Sequence, residues 1–86
     1  MSFQAMAKAI ELKIGTKQKF LLLVLANYAD EGGRCWPSIE TLCADTGMSR
    51  ATVHRTLDKL IERGLVRRDM RFKGNVQISN IYSLHL

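Results

Sequence analysis

The sequence is poor in the residues that cross-link small proteins or hold metal ions. Its two cysteines, Cys35 and Cys43, lie eight positions apart, a spacing typical of neither a zinc site nor a redox motif. The two histidines, His54 and His85, lie far along the chain. The sequence therefore predicts two free, partly buried thiols, no metal site, no cofactor, and no disulfide in a reducing compartment.

Long apolar runs are also missing. The longest run, Phe20 to Ala26, has seven residues, whereas a membrane-spanning helix needs roughly 20. The first residues mix Lys8, Glu11 and Lys13 with apolar side chains and lack the continuous apolar region of a signal peptide. We expect a cytoplasmic protein that does not bind membranes.

Patterns that support catalysis are absent as well. We find no Ser/His/Asp arrangement, no paired carboxylates in a cleft and no phosphate-cradling glycine loop, and Gly32-Gly33 is interpreted as a linker. The chain has one proline, 47% hydrophobic residues and no low-complexity run, which favours a single folded domain over residues 1–86. The sequence predicts a protein that is not an enzyme.

The positive charge is concentrated in one part of the chain. Residues 1–48 carry five basic and five acidic side chains, whereas residues 49–73 carry eight basic and three acidic ones. Residues 74–86 carry none of either kind. The net charge of +5 therefore belongs to 25 consecutive positions, which is typical of a phosphate-binding surface but also of a solvated basic face.

Caps and apolar spacing predict three main helices. Thr16 is the expected N-cap of a core helix that starts at Lys17 and reaches about Asp30, where Gly32 and Gly33 end it. Ser38 should cap a second helix over residues 39–46, and Ser49 a third over residues 50–63. Gly47 is expected at the turn between the last two helices, and Gly64 should end the third helix. A short extra helix is predicted over residues 3–12, with Phe3, Met6 and Ile10 on one side.

The period then changes from helix to strand. Residues 65–72 and 76–84 are rich in β-branched and aromatic side chains on either side of a Lys73-Gly74-Asn75 turn, which predicts a β-hairpin whose Tyr82 and Leu84 cover the core. Trp36 is interpreted as a core anchor between two helices. The fold class is therefore α+β and mostly α: a three-helix core followed by a two-stranded hairpin.

Two short helices joined by a glycine turn, followed by a basic hairpin, suit the major groove of DNA. The third helix should present its N-terminal end, because the side chains there cannot face the core stripe and arginine can donate to guanine O6 and N7. Lys59 and Arg63 are assigned instead to helical ion pairs with Asp58 and Glu62. The candidate DNA contacts in the third helix and its cap are Ser49, Arg50, Ala51, Thr52, His54 and Arg55.

At this point the chain resembles a known family. The run PSIETLCADTGMSRATVHRTLDKLIERGLV followed by SNIYSLHL resembles the winged helix-turn-helix modules of phage and plasmid replication proteins. SRATVHRTLDKLIERGLV is also similar to regulators of the IclR and GntR types. The resemblance covers residues 17–86 and implies a recognition helix within a helix-turn-helix at 38–63, after an N-terminal extension at 1–15. It also implies a wing at 65–86, with Arg68, Arg71 and Lys73 on DNA backbone or minor groove.

The regulators carry a separate effector or oligomerisation domain that this chain lacks, so we expect either a stand-alone protein or the N-terminal module of a longer initiator. The expected partner is double-stranded DNA, in replication initiation or transcription regulation in a bacterium or a phage-infected host, together with the corresponding machinery. The alternative is a protein-interaction module that binds an acidic partner. Phe3, Met6 and Ile10 suggest a weak homodimer through the N-terminal segment.

Overall fold

The computed structural model describes residues 2–86 as four helices and a small sheet. The helices are α1 (Phe3–Glu11), α2 (Thr16–Tyr28), α3 (Ile39–Thr46) and α4 (Arg50–Glu62). The strands are β1 (Arg34–Cys35), β2 (Val66–Lys73) and β3 (Val76–Leu84), in the order β1-β3-β2 with both pairs antiparallel. The architecture is the predicted α+β winged helix-turn-helix. Besides the three core helices and the two-stranded hairpin, it contains helix α1 and strand β1.

The N-terminal segment is part of the helical core. The predicted short helix is confirmed as α1, whose Ala9 is fully buried in the main hydrophobic cluster. The backbone N–H of Ser2 donates to the carbonyl of Ala26 at 3.1 Å, which fixes α1 against α2. Phe3 and Ile10 stay exposed, so dimerisation through this segment remains a prediction.

Helix α2 begins one residue earlier than predicted. The structure places Thr16 inside the helix and Gly15 at the N-cap, where no side chain caps the helix. The helix ends at Tyr28, before Gly32 and Gly33. Its Leu21, Leu22, Leu25 and Ala26 are completely buried, so the predicted role of α2 as the central core helix is confirmed.

The two following helices have the predicted caps. Ser38 accepts a hydrogen bond from the Thr41 N–H at 3.1 Å, and Ser49 accepts one from the Thr52 N–H at 3.2 Å. Gly47 has φ +74°, a left-handed conformation that lets the chain turn sharply between α3 and α4 at little steric cost. The helix-turn-helix geometry is therefore determined by local signals.

The hairpin is confirmed and pairs with a strand that the sequence analysis missed. Val66 pairs with Leu84 and Arg68 with Tyr82 at the inner end of the hairpin, whereas the register shifts between Asp69 and Arg71. Strand β1 adds two residues to the edge of β3, with Cys35 opposite Tyr82. A two-residue strand has no periodicity that a sequence could show, which explains why it was not predicted.

The prediction for Trp36 is wrong. Cys35 is 1% exposed, but Trp36 is 54% exposed, because successive side chains of an extended segment point to opposite faces and Cys35 takes the inward position. Burial raises the pKa of the Cys35 thiol to about 12, so it stays protonated at neutral pH. Both cysteines are free, as predicted, and no helix within residues 2–86 is long and apolar enough to cross a membrane.

Candidate nucleic-acid interface

Helix α4 has one buried and one solvated face. Val53, Leu57 and Leu60 are fully buried, and Ile61 packs against them at the edge of the core. Thr56 is also buried, at 5% exposure, and its hydroxyl donates to the Thr52 carbonyl at 2.7 Å. The solvated face differs between its two halves, and this difference defines the candidate interface.

The start of α4 carries the helix cap. The Ser49 hydroxyl, besides capping α4, donates to Thr52 Oγ1 at 3.0 Å. Arg55 Nη2 donates to the same Thr52 oxygen at 3.3 Å. These contacts order the polar side chains at the beginning of the helix. Between them Ala51 is exposed, and its small side chain leaves room for a close approach.

Arg50 forms an ion pair with the preceding helix. Its Nη1 lies 2.8 Å from Glu40 Oε1, with both side chains mostly exposed. The hydrogen bond from Arg50 holds the pKa of Glu40 below its usual value, and the carboxylate in turn raises the pKa of Arg50. Because the pair is exposed, its strength is modest. Arg50 can therefore exchange this carboxylate for a base or a phosphate.

His54 and Arg55 complete the solvated surface of the first half of α4. Both side chains are exposed. His54 follows Arg50 by four positions, so the two lie on neighbouring turns of one side of the helix. Arg55 follows Thr52 by three positions and lies on the other side, toward the start of α2. The predicted contacts of α4 thus diverge along two flanks.

The second half of α4 has a different charge. Asp58 and Glu62 are exposed there, and Asp58 Oδ1 pairs with Arg68 Nη1 at 3.8 Å. The predicted pairing of Lys59 and Arg63 with Asp58 and Glu62 is therefore not found within residues 2–86. The tertiary contact with β2 replaces it. Because exposed carboxylates disfavour a phosphate backbone, the N-terminal half of α4 suits the DNA groove better than the side that carries Asp58 and Glu62.

The three predicted wing residues have different surroundings. Arg68 pairs with the buried Tyr82 in the sheet register, and its side chain is 28% exposed beside Asp58. Arg71 Nε donates to the Ser79 carbonyl at 2.8 Å, next to the register shift. Lys73 is exposed beside the Gly74 turn. The structure thus gives Arg68 and Arg71 roles within the fold and leaves Lys73 at the tip.

The outer wing, residues 70–79, also carries apolar side chains that sequence reasoning did not single out. All four are well exposed: Met70 at 58%, Phe72 at 60%, Val76 at 66% and Ile78 at 41%. The signal was present, because the basic residues of 67–73 are interleaved with Met70 and Phe72. In the sequence alone, this pattern is equally typical of an ordinary β-strand.

The comparisons with known proteins agree with this geometry. Residues 12–66 match the profile of a family described as helix-turn-helix domain. The chain belongs to the helix-turn-helix domain family. The match covers α2, α3 and α4 with the turn at Gly47, which are the elements that carry the candidate interface.

Two individual proteins are similar to this chain. Protein YmfN of Escherichia coli (strain K12) is 35% identical over 51 residues, which is 59% of this chain but 11% of that protein. A solved structure described as a possible transcriptional regulator from Methanosarcina mazei Go1 superimposes with a TM-score of 0.62. It is 18% identical, over 96% of this chain and 64% of that one. The chain thus spans only a small part of the curated relative that it matches.

The family match supports DNA binding by the helix-turn-helix. The structural likeness supports the winged fold over nearly the whole chain.

Proposed function

We propose that this domain binds double-stranded DNA sequence-specifically, with the N-terminal half of α4 in the major groove. One observation carries the proposal: the solvated face of α4 has no carboxylate from residue 50 to residue 55, where it is basic and polar, whereas Asp58 and Glu62 follow on either side of Lys59. A helix that lay along its whole length against DNA would bring those carboxylates to the phosphates. Entry by the N-terminal end avoids this and is the geometry of helix-turn-helix recognition.

The side chains on this end have distinct roles in the proposal. Arg50 contacts a guanine through two donors after leaving Glu40, and His54 contacts the adjacent base or its phosphate. Ala51 provides apolar contact with a thymine methyl group. Ser49 and Thr52 already bond to each other and to the helix backbone, so any contact of theirs is with the DNA backbone.

The wing supplies contacts that do not depend on base sequence. Lys73 at the tip and the guanidinium of Arg71 contact phosphates or the minor groove, as basic side chains at such interfaces commonly do. Arg68 acts mainly through Asp58, because it is partly buried and already paired. We further propose a role in transcription regulation or in phage or plasmid replication initiation, which the fold and the resemblance of the sequence support equally.

The proposal is tested by selecting duplexes from a random pool with the purified domain. Affinity for the selected site and for a scrambled duplex of equal length is then measured by fluorescence anisotropy between 50 and 200 mM salt. We expect preference for the selected site and a steep loss of affinity with salt for both duplexes. No enrichment, together with salt-independent binding, would overturn it.

The apolar outer wing favours a second candidate function, binding to a protein partner with acidic groups. Exposed Phe72 and Met70 beside Arg71 and Lys73 combine the aromatic, methionine and arginine side chains that are enriched in protein interfaces. The Phe72→Ser and Met70→Ser variants distinguish the functions. Unchanged DNA affinity together with loss of a bound protein would assign the wing to that partner.

A further inference from the structure

The structure contains a cationic cavity beside the surface just described, with which it shares Thr52 and Arg55. It lies between the first turn of α2 and the flank of α4, with a volume of about 330 Å³. Its polar and charged lining includes Lys17 on α2 and Thr52, Arg55 and Lys59 on α4. We call it the flank cavity. Its size is at the lower end of the range of about 300–1,000 Å³ for ligand sites, enough for one small polar group.

The charges around the flank cavity all have one sign. Lys17, Arg55 and Lys59 reach it from two helices, and none of them belongs to the three ion pairs within residues 2–86. Clefts lined by charges of one sign concentrate the opposite charge. The flank cavity is therefore suited to an anion.

Arg55 is held on this side of the helix. Its Nη2 bonds to Thr52 Oγ1 at 3.3 Å, and Thr52 and Lys59 lie three positions before it and four positions after it, which places all three on one stripe of α4. Arg50 and His54 lie on the other flank. A ligand that contacts α4 would therefore meet this stripe and Arg50 with two different parts of its surface.

We propose that the flank cavity binds a single backbone phosphate of the DNA strand that borders the major groove. This inference rests on the proposed function, because a helix end in the groove has the two phosphate backbones on its sides. The cavity opens on one flank of that end. Phosphate and sugar receive half to two-thirds of the hydrogen bonds in such complexes, and three unpaired cations suit one phosphate. In this proposal Arg55 contacts the DNA backbone and helps to position α4 in the groove. Lys17 and Lys59 contact the same phosphate and so become part of the interface.

The first test compares two double variants that remove the same charge. Lys17→Gln/Lys59→Gln should weaken the selected and the scrambled duplex alike. Because one phosphate contact contributes a salt slope of about 0.9, the loss of affinity between 50 and 200 mM salt should become about three- to fourfold smaller. The control, Lys8→Gln/Arg63→Gln, alters exposed cations outside the cavity and should leave the slope unchanged.

The second test locates the phosphate. Duplexes with one neutral methylphosphonate at each position of the selected site are measured with both proteins. Methylphosphonate at one position should weaken binding of the unaltered protein, and it should have a clearly smaller effect on the Lys17→Gln/Lys59→Gln variant, which keeps only Arg55 at that phosphate. Equal slopes for the two double variants, or additive losses at every position, would overturn the proposal. The proposed function can hold even if the flank cavity does not bind a phosphate. In that case Arg50→Ala would still abolish the sequence preference, whereas the two double variants would behave alike.

A third measurement separates a DNA phosphate from a free anion. Inorganic phosphate is titrated against the protein without DNA, with amide NMR signals of residues 15–18 and 52–59 as the probe. Weak binding that competes with duplex DNA supports the proposal. Saturation of the cavity by phosphate with no effect on DNA affinity would assign it to a free anion instead.

Discussion

The helix-turn-helix and the outer wing are close in sequence but are held by different forces. From Ser38 to Glu62, two serine caps, a left-handed glycine and four fully buried side chains (Leu42, Val53, Leu57 and Leu60) restrain the chain. In the wing, every residue from 72 to 79 is exposed, including Phe72, Val76 and Ile78. Burial stabilises the first region, whereas the second contributes little apolar burial. The helix-turn-helix thus contributes more to the free energy of folding than the outer wing does, and the side chains of the outer wing are available for binding.

The largest expected effect tests this comparison directly. Leu57→Ala removes a completely buried side chain and should lower the free energy of unfolding by about 2–5 kcal/mol, through lost transfer energy and a cavity. Phe72→Ala removes a larger side chain, but one that is 60% exposed. It should therefore lower the free energy of unfolding by less than about 0.5 kcal/mol. Urea unfolding followed by circular dichroism measures both. Equal losses would show that the wing is as important for folding as the core.

The next effect concerns recognition by the start of α4. Arg50→Ala should reduce the ratio of affinities for the selected and scrambled duplexes about 10- to 100-fold, because a bidentate contact to guanine is lost. Arg63→Ala, at the other end of the same helix, is the control and should preserve that ratio. Anisotropy at one fixed salt concentration decides between them. A preserved ratio in Arg50→Ala would place base recognition elsewhere.

Variants of the two serine caps distinguish a contribution to folding stability from a contact with DNA. Ser38→Ala and Ser49→Ala should each lower the free energy of unfolding by about 1 kcal/mol, since each leaves a helix N–H without its partner. Ser79→Ala in the exposed wing should change it by less than about 0.5 kcal/mol. Thermal unfolding gives these values. If Ser49→Ala also weakens DNA binding and Ser38→Ala does not, Ser49 contacts the backbone as well as capping α4.

A smaller effect is expected at the tip of the wing. Lys73→Ala should leave the melting temperature unchanged and lower the salt slope of DNA binding by about one unit, if Lys73 meets one phosphate. Both duplexes should be affected equally. The same substitution at Lys8, on α1, provides the reference. A slope identical to that of Lys8→Ala would remove the wing tip from the DNA interface.

The smallest expected effect is an increase in affinity. Glu40→Gln removes the carboxylate that pairs with Arg50 at 2.8 Å and should strengthen DNA binding by up to about fivefold, since the exposed pair is weak. The gain should disappear when Arg50 is already alanine. A gain of equal size in both backgrounds would mean that Glu40 acts only by repelling phosphates.

Several features could be predicted because they depend on neighbours in the chain. Ser38, Ser49 and Gly47 each act within one turn of a helix, so the bounds of α3 and α4 followed from their positions. The core face of α4 followed from spacing alone, apart from Thr56, whose hydroxyl is satisfied by the Thr52 carbonyl. The N-cap of α2 was predicted one residue late, because Gly15 offers no side chain to signal it.

Local signals in the sequence are enough to predict the order of the helices and the hairpin, the helix-turn-helix and the concentration of basic residues that favours DNA, since caps, periodicity and charge are local properties. Only the tertiary structure decided what each charged side chain meets. The fold pairs Arg50 with Glu40, joins Asp58 to Arg68 instead of its helical neighbours, and brings Lys17 and Lys59 to the same cavity. The reason is that an ion pair forms only between side chains that are close in space, and the packing of segments distant in sequence determines which side chains are close.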